Sequence, residues 1–111
     1  MRAAIVASHQ YERQATKLLT PSERAALEQH LSEVPQAHPI IPGTGGVRKA
    51  RWGRGGRGKS GGVRAIYYFQ LEKTTVYMLT VYAKAHKADL TEKERQELKK
   101  LVKFLHGRSI Q

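Results

Sequence analysis

The chain has 111 residues, 40% of them hydrophobic, no cysteine, and a net charge of +11 from 20 Lys and Arg against 9 Asp and Glu. That length and composition fit one folded domain with a modest core and exclude a disordered chain, while the absence of cysteine excludes disulfides and thiolate metal centres and suits a reducing cytoplasm. A pI near 10.3 favours a polyanionic partner, nucleic acid ahead of an anionic membrane.

In chain order, Ala3 to Ala7 reads as a short strand at or near a sheet edge. Its apolar run is too short for a signal peptide or a membrane span, and no longer run follows, so no membrane partner is expected. His9 to Leu19 predicts a first helix. Thr20-Pro21-Ser22-Glu23 is a strong helix start, with Thr20 as cap, Pro21 at the first helical position and Glu23 closing a capping box. Leu27, Leu31 and Val34 repeat at helical spacing, and Pro35 stops the run. Gln36 to Pro42 is an extended linker, and Gly43-Thr44-Gly45-Gly46 is a turn. Val47 to Trp52 predicts a strand. Gly53 to Gly62, with six glycines among ten residues, predicts a flexible basic loop. Val63 to Leu71 and Thr75 to Tyr82 predict two strands joined by a hairpin turn, apolar on both faces and therefore central and covered. Thr91, with Glu94 as box partner, caps a last helix whose apolar stripe is Leu98, Leu101, Val102 and Leu105 and which Gly107 ends. The order strand, two helices, three meandering strands, helix is an α+β domain, an antiparallel sheet packed by helices.

The charge is concentrated. Arg48, Lys49, Arg51, Arg54, Arg57, Lys59 and Arg64 fall in one stretch, and residues 34–71 hold no carboxylate. Hairpin arithmetic sets Arg51 opposite Arg64, Lys49 opposite Ile66, and Arg64 opposite Val81 or Tyr82. A row Arg51–Arg64–Tyr82 across three strands results, with Lys84 two residues on and His86 after it. Opposed like charges destabilise a sheet, and a phosphate between them reverses that sign. Arg48, Arg54, Arg57 and Lys59 are read as backbone-tracking cations and Trp52 as a base-stacking aromatic. Gly53 to Ser60 matches the phosphate-loop pattern literally, but that motif needs a helix to follow, and a strand follows here. The histidines, at 9, 30, 38, 86 and 106, show no metal-ligand spacing; His9 and His38 have no evident partner in sequence.

Three segments, Gly43-Thr44-Gly45-Gly46-Val47-Arg48-Lys49-Ala50-Arg51, Gly61-Gly62-Val63-Arg64-Ala65-Ile66-Tyr67-Tyr68, and Tyr82-Ala83-Lys84 leading to Asp89-Leu90-Thr91, together resemble the RelE/HigB-type toxins of bacterial type II toxin–antitoxin pairs. The resemblance runs from about residue 3 to 106. It implies a single RelE-like domain over residues 1–111, and a ribosome-dependent endoribonuclease that cuts messenger RNA without a cofactor, inhibits translation, and is silenced by a cognate antitoxin in the cytoplasm. Its partners would be messenger RNA, the ribosome with its RNA, and the antitoxin. Lys49, Arg51, Arg64 and Lys84 stand where the family carries active-site basic residues. Ala85 and about Thr91 stand where founding members have an arginine and a tyrosine, which leaves Tyr82, His86 or a basic loop residue to move protons. A lysine crowded by cations favours its neutral form, so Lys49 or Lys84 is a candidate base. Two other readings compete: a non-catalytic RNA- or ribosome-binding module, and a ParE-like inhibitor of DNA gyrase, which would not need the Arg51–Arg64–Lys84 row.

Overall fold

A computed structural model describes residues 2–53 and 62–110, with side chains to residue 107. Its elements are β1 (Ala4–Ala7), α1 (His9–Leu18), α2 (Pro21–Glu33), β2 (Arg48–Trp52), β3 (Val63–Gln70), β4 (Thr75–Ala83) and α3 (Glu92–Ile110). They form the expected α+β fold on one four-stranded sheet in the order β1-β4-β3-β2. The sheet is mixed rather than wholly antiparallel, because β1 runs parallel to β4 while β2, β3 and β4 meander. The α1–α2 excursion causes this. It carries the chain across one face of the sheet between β1 and the meander, so β1 meets β4 running in the same direction.

The helix starts follow their local chemistry. The Ser8 hydroxyl accepts the Tyr11 backbone N–H at 3.0 Å and donates to the Leu79 carbonyl at 2.8 Å, so one side chain both caps α1 and pins it to β4. In α2 the Thr20 hydroxyl accepts from Glu23 N–H at 3.1 Å, and the Glu23 carboxylate accepts from Thr20 N–H at 2.9 Å. The two helices are clasped by Glu28, which accepts from the Tyr11 hydroxyl at 2.8 Å and from Arg24 Nε at 2.6 Å. Arg24 also pairs with Glu12 and lies over the Tyr11 ring.

Apolar residues sort to the two sides of the sheet. On one side Tyr11, Leu27 and Leu31 of the helices bury Ala65, Tyr67, Met78 and Val81. On the other, Leu90 and Val102 close over Ile41, Val47, Ile66 and Leu79. The last helix departs from expectation in two ways. It passes through Gly107 to Ile110, since nothing crowds that glycine and no turn is demanded of it. Its buried stripe centres on Val102, with Leu101 left 37% exposed. Gln70 ties α3 to the sheet by donating to the Leu105 carbonyl at 3.1 Å and accepting from the Tyr77 hydroxyl at 3.0 Å.

Two turns position the sheet. Gly43, Gly45 and Gly46 have φ of 79°, 80° and 121°, a left-handed path that glycine allows at least cost. Thr44, fully buried inside that turn, donates to the Ile41 carbonyl at 2.7 Å and accepts from Val47 N–H at 3.1 Å. At the start of β3, a methyl group on Gly62 would stand 2.1 Å from the Trp52 carbonyl oxygen. Gly62→Ala is therefore expected to lower stability by about 1–3 kcal/mol, read as a shift of the urea midpoint.

Tyr67 links the sheet to the linker by donating to the Pro35 carbonyl at 2.8 Å. Burial pushes its phenol up to about 12 from 10.0, against the opposing pull of the Arg48 charge. A raised phenol adds stability that is whole below its unfolded value and is lost as pH rises through the folded one. Denaturant melts between pH 10 and 12 should lose about 1.4 kcal/mol per pH unit from this residue. The slope should flatten in Tyr67→Phe.

Candidate functional site

The strand pairings put the row where hairpin arithmetic placed it. Arg51 pairs with Arg64, Lys49 with Ile66, and Arg64 with Tyr82. A β-bulge decides which face Tyr82 occupies. Tyr68 pairs with Tyr77 and Tyr67 with Met78, but Ile66 pairs with Thr80, so Leu79 is the extra residue. Tyr77 and Tyr82 are an odd number of residues apart, and strict alternation would send them to opposite faces. The extra residue restores the parity, and Tyr82 joins Tyr68, Tyr77 and Ile66 on the α3 side. Lys49, Arg51, Arg64 and Tyr82 thereby share a face, with directly paired Cα atoms ~4.5–5.5 Å apart.

Exposure is lowest at the centre of the row. Arg51 is exposed, Arg64 is 4% exposed, and Tyr82 is half-buried. Arg64 is held in place, with one guanidinium nitrogen donating to the Val63 carbonyl at 3.2 Å. The Tyr82 hydroxyl is buried and has no hydrogen-bond partner among the described residues. Burial, and next the Asp89 carboxylate, push this phenol up from its ordinary value, while Arg64 pulls the other way. The hydroxyl therefore keeps its proton at neutral pH and is a donor in search of an acceptor.

A second group of charges flanks the row. Asp89 lies 3.6 Å from Lys49 Nζ and 3.3 Å from a guanidinium nitrogen of Arg95. A hydrogen bond from the Leu90 N–H, and then the charges of Lys49 and Arg95, hold the Asp89 carboxyl below its usual range. Arg95 Nε is the other buried polar side-chain atom without a partner among the described residues. Lys49, Arg51, Asp89 and Arg95 form the charged floor of a cleft of about 470 Å³, whose far wall is the linker from His38 to Pro42. Arg95 was missed in the sequence, although one signal was present. The first turn of α3 holds Glu92 and Glu94, which suit the positive end of the helix dipole, and a cation there runs against it.

The turn after β4 carries Lys84 and His86, both exposed, and extends the ladder through a bond from Lys84 N–H to the Gly62 carbonyl at 3.2 Å. His86 lines a hollow with Tyr82, Lys87 and Glu94, and Lys87 Nζ lies 5.8 Å from the Tyr82 ring centroid.

Two expected site residues lie elsewhere. Arg48 and Trp52 alternate with Lys49 and Arg51 and therefore fall on the α1–α2 face. Arg48 donates to the carbonyls of His38, at 2.7 Å, and Gln36, at 3.2 Å, and so secures the linker. Trp52 packs on the α1–α2 core, 5.2 Å from the His30 ring, away from the basic row. His38, which had no evident partner in sequence, meets His30 with their Nε2 atoms 2.8 Å apart, one donating and the other accepting. The cations Arg54, Arg57 and Lys59 lie outside the described residues. Among the described residues no cluster of three or more His, Cys, Asp or Glu is arranged to hold a metal ion.

Residues 42–111 match the family model described as the RelE toxin of the RelE/RelB toxin–antitoxin system. The chain belongs to the RelE toxin family. Its fold agrees with solved RelE structures. The toxin–antitoxin complex RelBE2 from Mycobacterium tuberculosis contains a chain 25% identical over 77% of this one and 94% of that one, with a TM-score of 0.58. A mutant of the E. coli toxin RelE in the free state is 19% identical over 79% of this chain and 90% of its own, also at 0.58. The intact E. coli RelBE complex gives 22% identity over 71% and 93%, at 0.53. In this RelE-family chain the glycine turn, the basic strand, Arg64 and Tyr82 all lie inside the matched segment.

Proposed function

We propose that this RelE-family chain is a cytoplasmic, ribosome-dependent messenger-RNA endoribonuclease that stops translation and is neutralised by a cognate antitoxin. The observation that carries the reading is the Arg51–Arg64–Tyr82 row: two opposed arginines ending at a buried hydroxyl that has no acceptor among the described residues. A sheet gains no stability from placing like charges opposite one another, and a phosphodiester lying along the row would give both arginines a common anion and the Tyr82 hydroxyl an acceptor. The antitoxin partner is supported by the solved RelBE complexes that share this fold.

In the proposed reaction the 2′-oxygen of the bound nucleotide attacks the adjacent phosphorus, and the bond from phosphorus to the 5′-oxygen breaks. Arg51 and Arg64 hold the phosphate and stabilise the extra charge of the phosphorane by charge-assisted hydrogen bonds. His86 takes the 2′-hydroxyl proton, with Lys84 beside it on the same turn. The Tyr82 hydroxyl gives a proton to the departing 5′-oxygen, and after the products leave, the proton taken by the exposed His86 is released as Tyr82 is reprotonated, which restores both groups. Lys49, paired with Asp89, serves as a cation at the cleft rather than as the base. Guanidinium groups provide the charge stabilisation that a metal ion supplies in other nucleases, so no metal takes part in this scheme. The products are a 2′,3′-cyclic phosphate and a 5′-hydroxyl.

The test is a translation reaction in a purified bacterial system, with primer extension on the message and end-group analysis of the fragments. Cuts that need ribosomes and leave 5′-hydroxyl ends are expected. Arrest without cuts would replace the nuclease by a binding module, and metal-dependent cuts with 5′-phosphates would replace the mechanism.

A further inference from the structure

Beyond Tyr82 the sheet has an open edge. β1 pairs with β4 only from Thr75 to Met78, so the second half of β4 has no strand on its outer side, and α1 runs along that edge instead. Tyr11 and Ala15 of α1 are buried in the core on the α1–α2 face. Gln10 and Gln14, each one residue back on the helix, stand toward the open edge. The Gln10 amide donates to the Thr80 hydroxyl at 3.1 Å. Thr80 pairs with Ile66, which belongs to the α3 side, and Tyr82 follows two residues on. Gln10 therefore reaches round the edge of β4 onto the face of the row. Gln14 lies one turn further along α1, as Tyr82 lies two residues further along β4, and both line a hollow of about 370 Å³ with His86. Gln14 is half-buried, and its amide has no hydrogen-bond partner among the described residues.

We infer that this hollow is a nucleobase subsite: it takes the base of a nucleotide adjoining the phosphate held by Arg51 and Arg64, and the Gln14 amide bonds the edge of that base. The inference deepens the RNA-cleaving reading and rests on it. The volume lies within the usual range for small-ligand sites. Charge divides the two places. The row is cationic and suits the phosphate. In the hollow Lys87 pairs with Glu94, so cation and anion offset one another, which suits an uncharged base better than a phosphate. An amide carries a donor and an acceptor side by side, and so does the pairing edge of an unpaired RNA base. Tyr82 borders both places, so a strand whose phosphate rests on the arginines meets the hollow directly past the phenol. Leu18, one further turn along α1, closes the hollow with an apolar end that suits the face of a base. Gln10 and Gln14 precede residues 42–111, so the subsite draws on a part of the chain that the RelE match does not cover.

The experiment is fluorescence anisotropy of the whole chain with two probes: a labelled mixed-sequence 2′-O-methyl hexanucleotide, which cannot be cleaved, and a chain of six abasic spacer phosphates. Wild type should bind the first at least about five-fold more tightly, the lower end of what one amide pairing to a base edge contributes. Gln14→Met keeps the bulk of the side chain and removes its hydrogen-bonding groups. It should bring the two affinities together while leaving the spacer affinity unchanged, which also shows that the variant is folded. Equal binding of both probes by wild type would overturn the subsite, and so would a base preference that survives Gln14→Met. Failure of wild type to bind either probe would remove the row as a phosphate site and the subsite with it. Cleavage is scored separately on unmodified message. Base-dependent binding lost in Gln14→Met, with no cleavage by wild type, would remove the nuclease and leave the subsite standing; cleavage without base-dependent binding would remove the subsite alone.

Discussion

Arg64→Ala should lower ribosome-dependent message cleavage by about 10²- to 10³-fold, the usual cost of removing one preorganised donor from a developing anion. Arg64 stands at the centre of the row, between Arg51 on one side and Tyr82 on the other. It is buried and anchored through Val63, so its guanidinium needs no reorganisation when a phosphate arrives. Deleting so buried a side chain also leaves a cavity, and stability must be measured beside activity. Arg64→Lys separates the two effects. It keeps the charge but loses the planar fork, and should recover part of the fold stability while most of the activity stays lost. Cleavage that tracks the melting temperature across both variants would assign Arg64 to the fold alone.

Tyr82→Phe should reduce cleavage by about 10²-fold, the lower range for loss of a positioned proton donor. The same substitution should leave the melting temperature unchanged or raise it. The hydroxyl is buried without a partner among the described residues, so removing it breaks no hydrogen bond and relieves the cost of burying a polar group. Activity and stability moving in opposite directions is the signature of a group retained for chemistry. The pH profile adds a check. Because burial raises this phenol, the proton-donating form should persist past the ordinary tyrosine range, and activity should fall on the alkaline side only above it. A Tyr82→Phe enzyme of wild-type rate would hand proton donation to another group.

Much of this was legible in one dimension. Thr20 and Glu23, and Thr91 and Glu94, are capping boxes whose partners lie three residues apart, so the chain states the helix starts without reference to anything distant. The opposition of Arg51 to Arg64 and of Arg64 to Tyr82 was also recoverable, because antiparallel neighbours in a meander are related by simple sums of residue numbers. The faces of Arg48 and Trp52 were the harder matter. Both lie inside the basic stretch, and only the alternation of β2, once one face is known, sends them to the α1–α2 side. The His30–His38 contact and the partnership of Asp89 with Lys49 and Arg95 bring together residues from separate segments. No local pattern announces such meetings.

The element order, the caps, the glycine turn, the concentration of positive charge and the membership of the RelE family are written in the linear chain, since each depends on residues near one another or on a linear pattern. Three features emerge on folding: β1 joins the sheet in parallel, the Leu79 bulge swings Tyr82 onto the face of Arg51 and Arg64, and the linker from His38 to Pro42 walls a cleft with Arg95 opposite. Parity, packing and enclosure are properties of several segments at once. One extra residue in a strand reverses which way every later side chain points, and a cleft exists only where its separate walls meet.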